Sequence, residues 1–437
     1  LMKLFKSLFA IEVFLCGVGA SGQQLQKPNV VFIITDDLGY GDLSCFGQEK
    51  FLTPNIDRMA LNGTRFTRSY SGTTVSAPSR ASLMTGLHTG HASIRGNKEM
   101  DPEGQFPLPE NTYTLFHLFK NAGYKTGAFG KWGLGYPGST GDPIHQGVDE
   151  FFGYNCQRLA HNYYPGHLWR NQKRIELPEN DNGRSGAYAQ DLIQKEILSF
   201  ISNNKGNPFF LYAPIVLPHA ELIVPEDSII QQFRGKFPET PYRGIDAGPS
   251  FRKGGYASQE HPRATHAAMV KRIDVYVGQI IERLKAEGIY ENTLIVFTSD
   301  NGPHREGGGD PDFFNSNGIY RGYKRDLYEG GIRVPFIARW PGKIEPGSQT
   351  DHVSAFWDFM PTVCELAGIE TPDITDGISY LPAMLGQPQQ KHDHLYFEFH
   401  EQGGKQAVIK ENWKLIRFDV KNPEKTRVEL YILEIDI

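Results

Sequence analysis

Two acidic dipeptides, Asp36-Asp37 and Asp300-Asn301, carry the most pointed chemistry in this chain of 437 residues. Each stands just after an apolar run, at residues 29–35 and 294–297. Adjacent carboxylates repel unless a cation or hydrogen bonds compensate. An isolated pair would serve equally as a helix cap or a solvated turn. Together the four side chains offer only oxygen ligands, which suits a hard cation such as calcium over zinc. Cationic groups complete the pattern: Arg80, Lys131 between Gly130 and Trp132, His219 after Leu217-Pro218, and Lys324 ahead of Tyr328-Glu329-Gly330-Gly331. Singly, a lysine reads as a surface charge and a histidine as a loop residue. Grouped around a divalent cation, they would stabilise a tetrahedral dianion and the charge that develops on it.

Position is what turns such residues into a site. The run at 29–35 is continuously apolar, as expected of a strand buried on both faces. Thr53-Pro54 opens a helix to Ala60, with proline at its first position. A short helix over 114–121, stopped by Gly123, leads into a strand ending at Phe129. A helix over 188–203 precedes a buried strand at 208–212. Met269, Ile273, Val277, Ile280, Ile281 and Leu284 mark one face of a long helix ending at Gly288, before the strand at 294–297. Strands alternating with helices predict an α/β fold with a mainly parallel sheet covered on both faces. Ligands of such sheets collect beyond the carboxyl ends of the strands, where the dipeptides, Lys131 and His219 all fall. After Asp376-Gly377 the pattern changes to short segments around Tyr396, Val408, Leu415 and Leu430, which predict a small antiparallel sheet. Residues 221–262, rich in Pro and Gly without a period, read as a long active-site loop.

Ser76-Ala77-Pro78-Ser79-Arg80, running on to Thr85-Gly86, gives these pieces a common meaning. No neighbouring base would activate the serine as in a triad, and the setting is not a nucleophile elbow. Alone, the stretch would pass for a helix start with Pro78 in the first turn. The motif, with the order running from Asp36-Asp37 to Glu329-Gly330-Gly331, resembles the sulfatase family of the alkaline phosphatase-like superfamily. The resemblance covers nearly the whole chain after residue 27. It implies an alkaline phosphatase-like sandwich with a small C-terminal sheet. It also implies that Ser76 is oxidised to formylglycine, so the encoded residue is not the working species. Asp36, Asp37, Asp300 and Asn301 would hold calcium with the modified Ser76. Arg80 and Lys131 would fix the aldehyde hydrate, while His219 and Lys324 bind the sulfate and assist the leaving oxygen. A serine in place of cysteine resembles bacterial members matured by a radical-SAM enzyme. One departure stands out: the family's Lys-Trp-His is here Lys131-Trp132-Gly133. His161, in Ala160-His161-Asn162-Tyr163-Tyr164, is the candidate to replace the missing base, and a structural loop histidine is the alternative.

The remaining features bound the setting. Charge is nearly balanced, with 45 basic and 50 acidic residues and no basic block, which argues against a nucleic-acid partner. Lys3 and Lys6 before an apolar run, then small residues to Ala20, predict a secretory signal over 1–20 and export to a bacterial periplasm or cell envelope. No later stretch is long and apolar enough to span a membrane. Cys45, Cys156 and Cys364 have neither disulfide-framework nor zinc spacing. The expected organisation is a signal at 1–20, a catalytic α/β domain at 27–375 and a small-sheet subdomain at 376–437. The implied activity is hydrolysis of sulfate monoesters on sulfated saccharides or aryl sulfates, with His304 and Arg95 as candidate substrate contacts. Two alternatives accompany it: a phosphate or phosphonate ester hydrolase of the same superfamily, and a non-catalytic carbohydrate binder with unmodified Ser76.

Overall fold

The computed structural model describes residues 27–436, so the expected signal at 1–20 lies outside the described residues. Four strands form the centre of a ten-stranded sheet: β1 (Asn29–Asp36), β2 (Lys125–Lys131), β3 (Phe209–Pro218) and β4 (Thr293–Ser299). They lie side by side in the order β4-β1-β3-β2, all parallel. Every residue of β1, β3 and β4 is buried, which is why their sequences read as unbroken apolar runs. Beyond β2 the segment Glu150–Tyr154 continues in parallel, and beyond β4 the segment Phe336–Arg339 turns antiparallel. The sheet is therefore mixed but parallel where it matters for the site.

Side chains alternate between two cores, as the strand period of two requires. Val31 and Ile33 face one core, while Val30, Phe32 and Ile34 face the other. The first core is covered by the helices Ala189–Asn204 and Pro262–Ala286, through Ile193, Ile197, Ile273 and Val277. The second is covered by α1 (Ser76–Thr85), through Ala77, Ala81 and Met84, and by helix Leu115–Asn121. All ten residues of α1 are buried. Pro78 falls in its first turn, where a missing N–H costs no intrahelical bond. Gly86 closes the helix at φ +69°, a left-handed conformation that favours glycine.

The four-stranded antiparallel sheet is present in chain order: β5 (Leu395–Phe399), β6 (Lys405–Lys410), β7 (Trp413–Phe418) and β8 (Arg427–Ile432). Its apolar face, with Phe397, Ile409 and Ile416, packs on Tyr70, Leu327, Ile332 and Trp357. Residues just after the expected boundary at 376 belong with the large sheet, because Tyr380, Leu381 and Met384 pack into its second core. β3 also runs to Pro218, six residues past Tyr212, and so delivers His219 directly to the sheet edge. The 221–262 stretch is loop apart from one turn of helix, Ser228–Gln231, and a backbone bridge between Tyr242 and Gln259. Cys45, Cys156 and Cys364 are free thiols. Among the described residues, no helix is long and apolar enough to cross a membrane.

A buried ion pair ties the small sheet to the helical turn Glu329–Ile332. Lys414 of β7 donates to Glu329 Oε1 at 2.8 Å, while Tyr70 and Arg333 donate to Glu329 Oε2 at 2.8 and 3.2 Å. Removing Lys414 leaves this buried carboxylate with one fewer compensating charge. Lys414→Met is expected to cost about 3 kcal/mol, read as a lowered midpoint of urea unfolding.

Candidate active site

The carboxyl ends of β4, β1, β3 and β2 present Asp300-Asn301, Asp36-Asp37, His219 and Lys131 side by side. The backbone N–H of Asp300 donates to Thr35 O at 2.9 Å, prolonging the β1–β4 ladder to the site. Asp37 then turns out of the sheet with φ 63°. The first turn of α1 is seated over this edge by Ser79, whose hydroxyl donates to Asp300 O at 2.6 Å. Ser76 Oγ thereby reaches Asp36 Oδ1 at 2.8 Å.

Charge compensation organises the interior. Asp36, Asp37, Asp300 and Asn301 are all fully buried, as are Arg80 and Lys131. Arg80 places Nε and Nη2 on Asp300 Oδ2 at 3.1 and 2.9 Å, and its Nη1 on Lys131 O at 2.6 Å. Lys131 Nζ donates to Asp36 Oδ2 and lies 3.3 Å from Ser76 Oγ. Burial by itself would raise the Asp36 carboxyl, but Lys131, His219, Arg80 and Lys324 hold it well below the usual carboxylate range. Asp300 goes the other way: burial and the nearby Asp36 charge push it up to about 6, against Arg80 and Lys131. Burial lowers the Lys131 ammonium, with Asp36 pulling it back.

The donor set fits a hard cation. Three carboxylates and an amide converge there, oxygen donors of the kind a hard cation prefers, with His219 close enough to Asp36 and Asp37 to be an imidazole neighbour of the same site. Asn301 donates through Nδ2 to Asp37 Oδ1 at 2.7 Å, while its Oδ1 is buried without a hydrogen-bond partner. An acceptor left this way is an oxygen awaiting a ligand.

A second layer surrounds Asp37. Lys324 Nζ donates to Asp37 Oδ2 at 2.9 Å, to Glu306 Oε2 at 3.1 Å and to His219 Nε2 at 3.1 Å. The other ring nitrogen of His219 donates to Ala220 O, which fixes the tautomer with Nε2 unprotonated. Burial and the Lys324 charge hold the His219 imidazolium well below its ordinary range. Burial would lower Lys324 too, yet Asp37 and Glu306 raise it above the normal lysine value, so it stays charged.

His161 joins this layer. Its ring stacks on His219 with centroids 4.9 Å apart, and its Nδ1 donates to Gly254 O at 3.0 Å, leaving Nε2 unprotonated. Burial lowers it to about 4, with the Gly254 bond acting in the opposite sense. Gly133 sits at φ +74°, in the left-handed region that favours glycine, and a Cβ there would require the Gln157 amide to shift. Two candidate substrate contacts have their polar groups engaged within the chain. His304 lies beside His219, with centroids 5.8 Å apart, but Nε2 donates to Pro218 O and Nδ1 accepts Glu306 N–H, so both ring nitrogens are committed. Arg95 donates to Ala92 O, Gly90 O and Glu398 Oε2, a brace between the loop after α1 and β5. Glu306, Arg325 and Tyr256 went unnoticed in the sequence. Arg325 and Tyr256 both donate to Glu306, and the only signal was a carboxylate five residues past Asn301 in the same loop.

An alkaline phosphatase-like sheet with buried oxygen donors and cations at its carboxyl edge defines a centre for a tetrahedral anion. The chain belongs to the sulfatase family, whose sequence model matches residues 28–369. A second model, N-sulphoglucosamine sulphohydrolase, C-terminal, matches residues 318–436. An arylsulfatase of Hemicentrotus pulcherrimus is 31% identical over 85% of this chain and 64% of its own length. An N-acetylgalactosamine-6-sulfatase of Canis lupus familiaris is 33% identical over 85% of this chain and 68% of its own. The chain thus spans about two thirds of the length of these curated relatives. The crystal structure of Ps i-CgsB in complex with k-i-k-neocarrahexaose superposes with a TM-score of 0.76 at 28% identity, covering 94% of this chain and 87% of that one.

Glu306, after Asp37, is one of the carboxylates that keep Lys324 charged. Glu306→Gln removes one of the two carboxylates that raise the ammonium, so its pKa must fall and the charge must be lost at lower pH. A fall of at least about one unit is expected for an opposite charge removed from hydrogen-bond range. NMR titration of 15N-labelled lysines, with Lys324→Arg assigning the signal, measures it.

Proposed function

We propose that this chain hydrolyses sulfate monoesters on sulfated carbohydrates, using a formylglycine made from Ser76 and one bound calcium ion. The supporting observation is the bonding of Ser76 itself. Its hydroxyl donates to Asp36, a carboxylate held far too acidic to act as a base, and no imidazole bonds to it among the described residues. An unmodified serine so placed is a poor nucleophile. Asp36, Asp37, Asp300, Asn301 and residue 76 would hold the cation. When present, calcium polarises a sulfate oxygen and the hydrated aldehyde offers an attacking hydroxyl with a second one in reserve.

The side chains of this chain supply the rest. Lys131 Nζ sets positive charge against the oxygen of residue 76, and Arg80 locks the Asp300 carboxylate by two N–H bonds. Lys324 Nζ, charged and hydrogen-bonded to His219 Nε2, is the proton source for the departing alcohol oxygen. His161 Nε2, unprotonated at neutral pH, is the base that takes the proton whose removal releases sulfate. The substrate class follows the relatives, one named for N-acetylgalactosamine-6-sulfate and another seen with neocarrahexaose. On the sequence of the first twenty residues the protein is exported from a bacterial cell, and the serine-type motif makes a radical-SAM maturase its partner.

Two measurements test this reading. Protein co-expressed with such a maturase should show the Ser76 peptide lighter by two hydrogens, and elemental analysis should find about one calcium per chain. Full activity with wholly unmodified serine, or stoichiometric zinc in place of calcium, would refute it. For the base, His161→Ala is expected to lower kcat roughly 10²–10⁴-fold with KM little changed. Near-normal kcat in steady-state assays on an aryl sulfate would leave His161 as a packing partner of His219.

A further inference from the structure

A cavity of about 670 Å³ is lined by Arg158 and Leu159, which open the turn carrying His161, by Arg174, Arg252 and Lys253, and by the carboxylates Asp101 and Glu103. It shares two walls with the catalytic cluster. His161 Nδ1 bonds to Gly254 O at 3.0 Å, and Asn162 Nδ2 donates to Arg252 O at 3.0 Å. The cavity therefore flanks the histidine stacked on His219.

Its carboxylates lie on some of its cations and not on others. Arg158 lies 3.4 Å from Glu99 and 3.7 Å from Asp101, Arg174 pairs with Glu176 at 2.7 Å, and His167 takes up Glu103 at 2.9 Å. Arg252 bonds only to neutral oxygens, Ser185 Oγ at 2.8 Å, Tyr164 O at 3.5 Å and the Arg184 carbonyl. Lys253 is exposed and forms no ion pair among the described residues. A guanidinium and an ammonium without carboxylate partners are suited to an incoming oxyanion. The wall is also built rather than loose. Gly254 sits at φ +105°, where a Cβ would collide with Arg158 Cγ, so the loop is pressed against Arg158. The Arg252 guanidinium rests over the Tyr164 ring at 5.5 Å. Cations held in place in advance lose less on binding than free side chains do.

We propose that this cavity binds a second anionic group, a sulfate or a carboxylate, on the sugar adjoining the one whose sulfate ester lies at residue 76. The inference rests on the sulfate-ester reading above and narrows it: the substrate is an oligosaccharide with charged neighbours, and Arg252 and Lys253 select it.

Three disaccharides test the subsite with matured enzyme. All end in 6-O-sulfated N-acetylgalactosamine, and the neighbouring sugar carries a sulfate, a carboxylate or neither. At least one charged neighbour is expected to raise kcat/KM about tenfold over the neutral one, the scale of one charge-assisted hydrogen bond. Which of the two does so distinguishes sulfate from carboxylate. Arg252→Gln and Lys253→Ala should each erase most of that preference while leaving the neutral disaccharide and an aryl sulfate unaffected. Raising salt from about 50 to 500 mM should weaken it in the parent protein, through shorter-range charge interaction. Equal kcat/KM for all three disaccharides in the parent protein, or equal losses on every substrate in the variants, overturns the subsite. If no sulfate ester is cleaved, the catalytic reading is what fails. Calorimetric titration of the same disaccharides into the protein then decides the subsite: tighter binding of a charged one supports it, and equal binding overturns it.

Discussion

Everything at this site depends on keeping three carboxylates ionised in a place without water. Asp36, Asp37 and Asp300 are fully buried, and burying an unpaired carboxylate is among the largest penalties a fold can incur. Arg80, Lys131 and Lys324 remove that penalty by direct contact. The compensation is uneven. Asp36 is surrounded by cations and is firmly ionised, whereas Asp300 is pushed up to about 6 by burial and by Asp36. A site with one carboxylate left short of positive charge, and an amide oxygen left without a donor, favours a divalent cation.

The same economy of charge explains the outer layer. Lys324 could not remain an ammonium at its depth without Asp37 and Glu306, and Glu306 is itself held by Arg325 and Tyr256. His219 stays neutral because it is buried and Lys324 faces it, and His161 stays neutral because it is buried beside His219. Burial and charged neighbours together set each protonation state. The small sheet takes part, since Lys414 holds Glu329 in the loop that follows Lys324 and Arg325. Its role is to fix where that loop stands.

Gly133 shows how a departure from a family pattern can be structural. The backbone there is left-handed, a conformation that favours glycine, and a side chain would also have to displace the amide of Gln157. In the proposed mechanism the imidazole that takes over is His161, from the turn Leu159–His161, so the proton-accepting group would sit on a different loop from the one that carries Gly133. Gly254 bonds to His161 and abuts Arg158 in the wall of the neighbouring cavity, so the proposed base and the proposed subsite share one loop.

The strands, the long helices, the small terminal sheet and the order of the acidic and basic motifs were legible in the sequence. Buried parallel strands must be continuously apolar, and the polar residues ending such runs stand out against them. Asp36, Asp37, Lys131, Asp300 and Asn301 were found that way, and Ser76 and Arg80 by their fixed spacing. The sequence could not say which polar groups were already spent. Arg95 and His304 looked free, but the fold engages their donors in bonds to Glu398 and Pro218, residues distant along the chain. Glu306 gives no local signal, because its role depends on Lys324 being brought against it. Nor does local pattern show that Tyr380 to Met384 pack on the large sheet, because a short apolar stretch fits either core. Side-chain chemistry and strand order were therefore properties of the sequence. Protonation, hydrogen-bond satisfaction and the shape of the flanking cavity were decided only when distant segments met, because each depends on what stands within a few ångströms.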